Sequence, residues 1–153
     1  MTTKLIEPIS RKLNVLGRDY LAALDHHMIR FGIDRHYYPL ALIVHHDGQL
    51  TQKGLADILS KDKSLIVKII DRLSDQGFVQ RETNPDDRRE HFLAPTEKAK
   101  EVMPHLLKTF EHMNASASKG ISKQDMEIFE NVLIKMRENL AEFEQTEPVP
   151  YPV

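Results

Sequence analysis

Between Leu50 and Thr96 the chain sets two short amphipathic helical segments, a tight turn and a charged hairpin in immediate succession, and that order of elements admits very few folds. Leu50, Thr51 and Leu55 stand at the N′, N-cap and N4 positions of a hydrophobic staple. They predict a helix over 51–59 that buries Leu55, Ile58 and Leu59. Ser60 or Asp62 caps a second helix running to about Gln76, with Ile66, Ile69, Ile70 and Leu73 as its inward face and Gly77 just past its end. Phe78 to Thr83 and His91 to Leu93 read as strands joined through the turn residues Asn84-Pro85-Asp86-Asp87. Thr96 then caps a helix reaching about Ser118. Helix, turn, helix and β-hairpin make a winged helix-turn-helix. The expected fold class is mainly α with a small β-wing and long N- and C-terminal dimerisation helices.

The flanks support pairing. Residues 4–31 read as one helix, with apolar positions Leu5, Ile9, Leu13, Leu16, Tyr20, Leu24, Met28 and Phe31 stepping by three or four and Gly32 ending it. Pro8 lies in its second turn, so regular helix can begin only near there. Such a helix would span about 42 Å, long for a small domain. Pro39 suits the first position of a short helix to about His46. Ser122 with Asp125 opens a last helix whose Met126, Phe129, Leu133, Met136, Leu140 and Phe143 form a heptad-like seam. The proline-rich tail from Glu147 to Val153 reads as extended. Stripes at both ends exceed what one small winged helix covers, so a second copy is the expected cover. The dimer candidates are Leu5, Ile9, Leu13, Leu16, Met126, Phe129, Leu133, Met136, Leu140 and Phe143.

A length of 153 residues allows one domain with a real core. The net charge of −2 is unevenly spread: residues 51–100 hold 10 Lys/Arg against 9 Asp/Glu, and residues 101–153 hold 5 against 9. The acidity therefore lies in the C-terminal third, away from the hairpin. The chain has no cysteine, hence no disulfide and no thiol redox switch. No apolar run reaches transmembrane length and the first residues lack a signal-peptide core, so a cytoplasmic location is expected.

With three isoleucines turned inward, the helix over 62–76 shows Lys63, Ser64, Val67 and Lys68 on its opposite face. An α-helix fits the DNA major groove, where lysine reaches guanine or a phosphate, serine reads several bases and valine meets a thymine methyl. Arg88 and Arg89 on the hairpin tip suit the narrow, electronegative minor groove. The bland alternatives are a solvated helix face and a turn neutralised by Asp86 and Asp87. The surrounding helix-turn-helix and wing favour DNA.

These residues carry a resemblance. Leu50-Thr51-Gln52 with Leu55-Ala56, Asp71-Arg72-Leu73, Gly77-Phe78-Val79, Arg81, Asp87-Arg88-Arg89 and Thr96 resemble the MarR (multiple antibiotic resistance regulator) family over nearly the full length. The Asp-x-Arg wing before a Thr-capped helix is the most specific piece. The resemblance implies a single MarR-like domain over 1–153, with a DNA-binding lobe over about 39–96 and dimerisation helices over about 4–31 and 97–145. It implies a homodimer that reads a palindromic operator as a repressor and is released by a small effector. The DNA-contacting set it implies is Thr51, Gln52, Lys61, Lys63, Ser64, Val67, Lys68, Arg72, Asp87, Arg88 and Arg89. Within that set Arg89 is the wing-tip arginine and Asp87 its orienting carboxylate. Ala94-Pro95-Thr96 departs from the family's Leu-Thr and shifts the expected end of the wing strand. The missing cysteine excludes the family's thiol peroxide sensing.

The resemblance also implies a crevice for a small aromatic or anionic effector, lined by Met28, Phe31, His36, Tyr37, Tyr38, Leu42, Phe110 and Met113, although the same residues suit ordinary core packing. Of the eight histidines, the pairs His26/His27 and His45/His46 are adjacent in sequence and diverge by about 100° on a helix, so neither is a natural chelate. No metal and no cofactor are expected. No phosphate loop, nucleophile elbow or HExxH motif supports an enzyme. The remaining alternatives are a metal-responsive regulator of the same fold and a winged helix that binds only protein.

Overall fold

The computed structural model describes residues 6–147. In chain order these form α1 (Ile9–Met28), a single 3-10 turn (Ile29–Phe31), α2 (Tyr37–His45), α3 (Gln52–Leu59), α4 (Lys63–Asp75), β1 (Val79–Thr83), β2 (His91–Pro95), α5 (Glu97–Ala117) and α6 (Lys123–Glu144). The fold is mainly α with a two-stranded wing, as the residue pattern predicts. One compact unit extends to Met113, and a second begins at Asn114.

Boundaries move where local chemistry overrules periodicity. α1 starts at Ile9, not residue 4, because Pro8 sits extended at φ −68° and ψ 141° as its N-cap. Its end tightens into the 3-10 turn, where Gly32, at φ 69°, donates its N–H to the Ile29 carbonyl at 3.1 Å. Leu5 and the tail beyond Glu147 lie outside the described residues. α2 starts at Tyr37, two residues before Pro39; the proline still falls in the first turn, whose N–H groups lack intrahelical acceptors. Ile58 is 46% exposed and not buried, because it lies off the stripe that Leu55, Ala56 and Leu59 present to the core.

The core of the first unit gathers Leu24 and Met28 from α1, Tyr37, Leu40 and Ile43 from α2, and Leu55 from α3. Ile66, Ile69, Ile70 and Leu73 of α4, Phe78, Leu93 of β2, and Ala99, Val102, Met103 and Leu106 of α5 belong to it as well, with Ile33, Leu50, Ala56 and Val79. The α1 stripe divides: its C-terminal residues Leu24 and Met28 are buried, while Ile9, Leu13 and Leu16 are exposed. α6 contributes no buried residue; Met126, Leu133 and Met136 are half-buried, and Phe129, Leu140 and Phe143 are exposed.

The wing is an antiparallel pair in register from Val79 opposite Pro95 to Thr83 opposite His91. β2 therefore runs two residues past Leu93, and Thr96 keeps its cap, accepting the Ala99 N–H at 3.2 Å and donating its hydroxyl to the Gly77 carbonyl at 2.7 Å. A third extended piece was not legible in the sequence. The Leu93 N–H donates to the Leu50 carbonyl at 2.8 Å, and Thr51 bridges Phe92, so the wing is tied to the start of α3.

Candidate nucleic-acid interface

α3 and α4 are separated by only Ser60, Lys61 and Asp62. Ser60 closes α3 in the left-handed region at φ 50°. Asp62, not Ser60, caps α4: its carboxylate accepts the Leu65 N–H at 2.8 Å and the Ser64 hydroxyl at 2.7 Å. The Ser64 hydroxyl bond and then the Leu65 N–H hold the Asp62 carboxyl below the usual carboxylate range. Its negative charge at a helix N-terminus is also favourable. The cap therefore keeps its charge to lower pH in the folded chain than in the unfolded one, and its contribution fades as pH falls through that lower value.

The other end of α4 closes in a Schellman motif. The Phe78 N–H donates to the Leu73 carbonyl and the Gly77 N–H to the Ser74 carbonyl, both at 2.9 Å, with Gly77 at φ 77°. α4 is thus fixed at both termini and buried along one face. Lys63, Ser64, Val67, Lys68 and Arg72 are left exposed, with Lys61 in the turn before them.

The candidate cations separate into two groups by what they touch. Arg72 donates to the Asp34 carboxylate at 3.1 Å, which ties α4 to the segment between α1 and α2. Arg81 of β1 spans two helices, donating through Nε to Gln52 of α3 at 2.8 Å and through its terminal nitrogen to Asp71 of α4 at 2.6 Å. By contrast, Lys53, Lys61, Lys63, Lys68, Arg88 and Arg89 form no ion pair among the described residues. Unpaired surface cations are the ones ready to meet phosphates. Of the polar residues expected at DNA, Thr51 uses its hydroxyl to accept the Gly54 N–H at 3.0 Å, and Gln52 is engaged by Arg81. Both act first as scaffold.

The wing corrects one expectation. Asp87 holds the Arg89 backbone N–H, at 2.9 Å, and not its guanidinium. Around it the hairpin closes through buried Asn84. Its side chain donates to Glu90 at 3.1 Å and accepts the Asp86 N–H at 2.9 Å, and its backbone N–H donates to the Glu90 carbonyl at 3.0 Å. The tip is a bonded turn, and both arginine side chains project from it exposed.

Helices and wing enclose an open cleft of about 480 Å³. α3 lines it with Gln52 and Lys53, and α4 with Lys63, Ile66 and Val67. The wing contributes Asp87, Arg89, Glu90 and His91. Lys53 and His91 were missed by sequence reasoning. Neither lies on the recognition helix or the wing tip, and only the folded proximity of α3 and β2 brings them to the site.

The residues expected at an effector crevice are mostly packed. Met28 and Tyr37 are buried, while Phe31, His36, Leu42, Phe110 and Met113 are half-buried; Tyr38 is 58% exposed. Phe31 stacks on His105 with ring centroids 5.0 Å apart. The Tyr37 hydroxyl donates to Asp25 at 2.7 Å, and burial followed by this carboxylate pushes the phenol far above its ordinary range. Burial, against the pull of Asp34, moves His36 below the ordinary imidazole value.

A helix pair with one face buried, one face cationic, and a hairpin beside it define a winged helix-turn-helix. Residues 31–90 of the chain match the MarR family. It is 24% identical over 132 residues to the uncharacterized HTH-type transcriptional regulator YybA of Bacillus subtilis (strain 168), covering 86% of this chain and 88% of that protein. A putative MarR family transcriptional regulator from Listeria monocytogenes, solved with a 26mer DNA, has the same fold at a TM-score of 0.79 and 23% identity, over 95% of this chain and 100% of that one. The MepR–DNA complex of S. aureus matches at a TM-score of 0.80 and 18% identity, over 88% and 99%.

Among the described residues no helix is long and apolar enough to cross a membrane, and no three His, Asp or Glu side chains gather in a metal-binding group.

Proposed function

We propose that this chain is a cytoplasmic homodimeric repressor that binds a palindromic operator and leaves it when a small aromatic or anionic effector binds. The observation that carries the DNA reading is the partition of cations. Lys63 and Lys68 of α4 and Arg88 and Arg89 of the wing tip form no ion pair among the described residues, whereas Arg72 and Arg81 are consumed in holding the lobe together. Two relatives of this fold were solved with DNA. In this reading Lys63, Ser64, Val67 and Lys68 meet the major groove, with Lys61 at the backbone beside them, and Arg88 and Arg89 meet the minor groove. The whole chain acts as one regulator, with residues 39–96 as the DNA-binding lobe. The exposed apolar residues Ile9, Leu13 and Leu16 of α1, and Phe129, Leu140 and Phe143 of α6, support pairing through the terminal helices. A shallow groove of about 590 Å³ along α1, lined in part by Leu13, Gly17 and Leu21, supports the same use of that helix.

Selection of bound duplex from a random pool, repeated with a panel of aromatic and anionic metabolites, tests the reading. The expected product is an inverted repeat whose retention drops with some members of the panel. Recovery of no preferred sequence would contradict it.

The wing adds a graded expectation. Arg89→Ala removes the minor-groove probe and weakens binding most where the operator flanks are A·T-rich, because narrow grooves attract arginine best. Asp87→Ala frees one backbone N–H of the turn and deletes a negative charge near phosphate, so its two effects oppose and the loss is smaller. Affinity of both variants on A·T-rich and G·C-rich flanks checks this order. Wild-type binding by Arg89→Ala on both flanks would remove the wing from the interface.

A further inference from the structure

In a duplex, the sugar–phosphate strand is what separates the major groove from the minor. A protein that puts α4 in one groove and its wing in the next must let that strand pass between them. The space between α4 and the wing is the cleft of about 480 Å³, and its lining includes Lys53 of α3, Lys63 of α4, and Arg89 and His91 of the wing. We propose that Lys53 and His91 hold the phosphates of this crossing strand, and that His91 does so in its protonated form, which makes operator affinity depend on pH. The proposal deepens the DNA reading above and rests on it.

The surrounding charges favour this use of the histidine. The two acids of the cleft are turned to other work: the Asp87 carboxylate accepts the Arg89 backbone N–H at 2.9 Å, and the Glu90 carboxylate accepts the Asn84 side chain at 3.1 Å. Arg81 stands two pairs along the ladder, on the sheet face His91 shares, and is committed to Gln52 and Asp71. The half-buried His91 ring makes no hydrogen bond among the described residues. Lys53 from α3, Lys63 from α4 and Arg89 from the wing are the cations that share the cleft with it. A fourth positive charge in such company is favourable once a phosphate lies among them, and histidine is the side chain whose charge changes between about pH 5 and 8. DNA binding then takes up a proton at His91. The linkage runs one way: affinity rises as pH falls, and the gain saturates once the ring is already protonated in the free protein.

The experiment uses full-length protein and one duplex recovered from the selection, with affinity and its salt dependence measured at about pH 5.5 and about pH 8. Each pH unit by which phosphate favours the charged ring is about tenfold in affinity per protomer, so wild-type protein gains several-fold to about tenfold per protomer at the lower pH. Its log–log salt slope also steepens by about 0.9 per protomer. His91→Gln removes this step and keeps the weaker affinity throughout. His91→Lys, charged at both pH values, is tight throughout and shows no step. Lys53→Gln lowers the salt slope by about one per protomer at both pH values. The other seven histidines are common to all variants, so the difference from wild type isolates His91. If His91→Gln keeps the full wild-type pH step, or Lys53→Gln keeps the wild-type slope, the assignment is overturned while the DNA reading stands. If wild-type protein shows no salt-dependent duplex binding at either pH, both fall.

Discussion

Phe78→Ala costs the first unit about 3–5 kcal/mol, a large share of the 5–15 kcal/mol that holds most domains folded. Phe78 is fully buried, and it stands where three elements meet. Its N–H completes the Schellman motif at the end of α4, and its carbonyl accepts the Thr96 N–H at 3.0 Å at the start of α5. Its ring packs in the core that includes Leu73, the usual hydrophobic partner in such a motif, and carries the Lys98 ammonium 4.2 Å from its centre. Alanine leaves the backbone bonds but empties the joint between α4, the wing and α5. Urea denaturation should show a lower midpoint with an unchanged slope. A loss below about 1 kcal/mol would mean that the joint collapses onto the smaller side chain and that the aromatic ring is not its keystone.

The second large effect falls on binding and leaves folding alone. Lys63→Ala and Lys68→Ala remove exposed side chains that make no ion pair among the described residues, so thermal stability should move by no more than about 0.5 kcal/mol for either. Operator affinity should fall by about 1–3 kcal/mol for a lysine that reads a base edge, with preference relaxed at one position in each half-site. A lysine meeting only phosphate weakens all sequences alike and lowers the salt slope by about one. Arg72→Ala supplies the contrast. It breaks an exposed ion pair with Asp34 worth about 0–1 kcal/mol and leaves the outer face of α4 intact, so it changes operator affinity less than either lysine. Unchanged affinity for both lysine variants would mean that α4 is not the recognition helix.

The parts of the fold that follow from local rules were legible in the sequence. The four inward residues of α4 recur at helical spacing, and each is buried. Thr51 and Ser122 cap α3 and α6 with side-chain bonds to Gly54 and Asp125, as their positions before apolar periodicity announce. What escaped the sequence depends on distance along the chain. Arg81 reaches Gln52 and Asp71 only because β1 folds back beside two helices, and Arg72 finds Asp34 across 38 residues. No periodicity separates a cation that will pair internally from one left for a ligand. The wing shows the same limit at short range. Asp87 is the expected orienting carboxylate of Arg89, but the chain is turning there, and the carboxylate takes the nearer backbone N–H and not the guanidinium. Ile58 was misplaced because an eight-residue helix has a narrow inward stripe, and one apolar residue at its edge goes to solvent.

The central claim is that two copies of this chain place α4 in successive major grooves with the wings in the flanking minor grooves. Hydroxyl-radical footprinting of the selected duplex tests it most directly. The predicted pattern has a two-fold axis, with protected backbone in two half-sites about 10–10.5 base pairs apart or a multiple of that, and weaker protection in the outer minor grooves that disappears with Arg89→Ala. A single unsymmetrical footprint, or outer protection that survives Arg89→Ala, would contradict it.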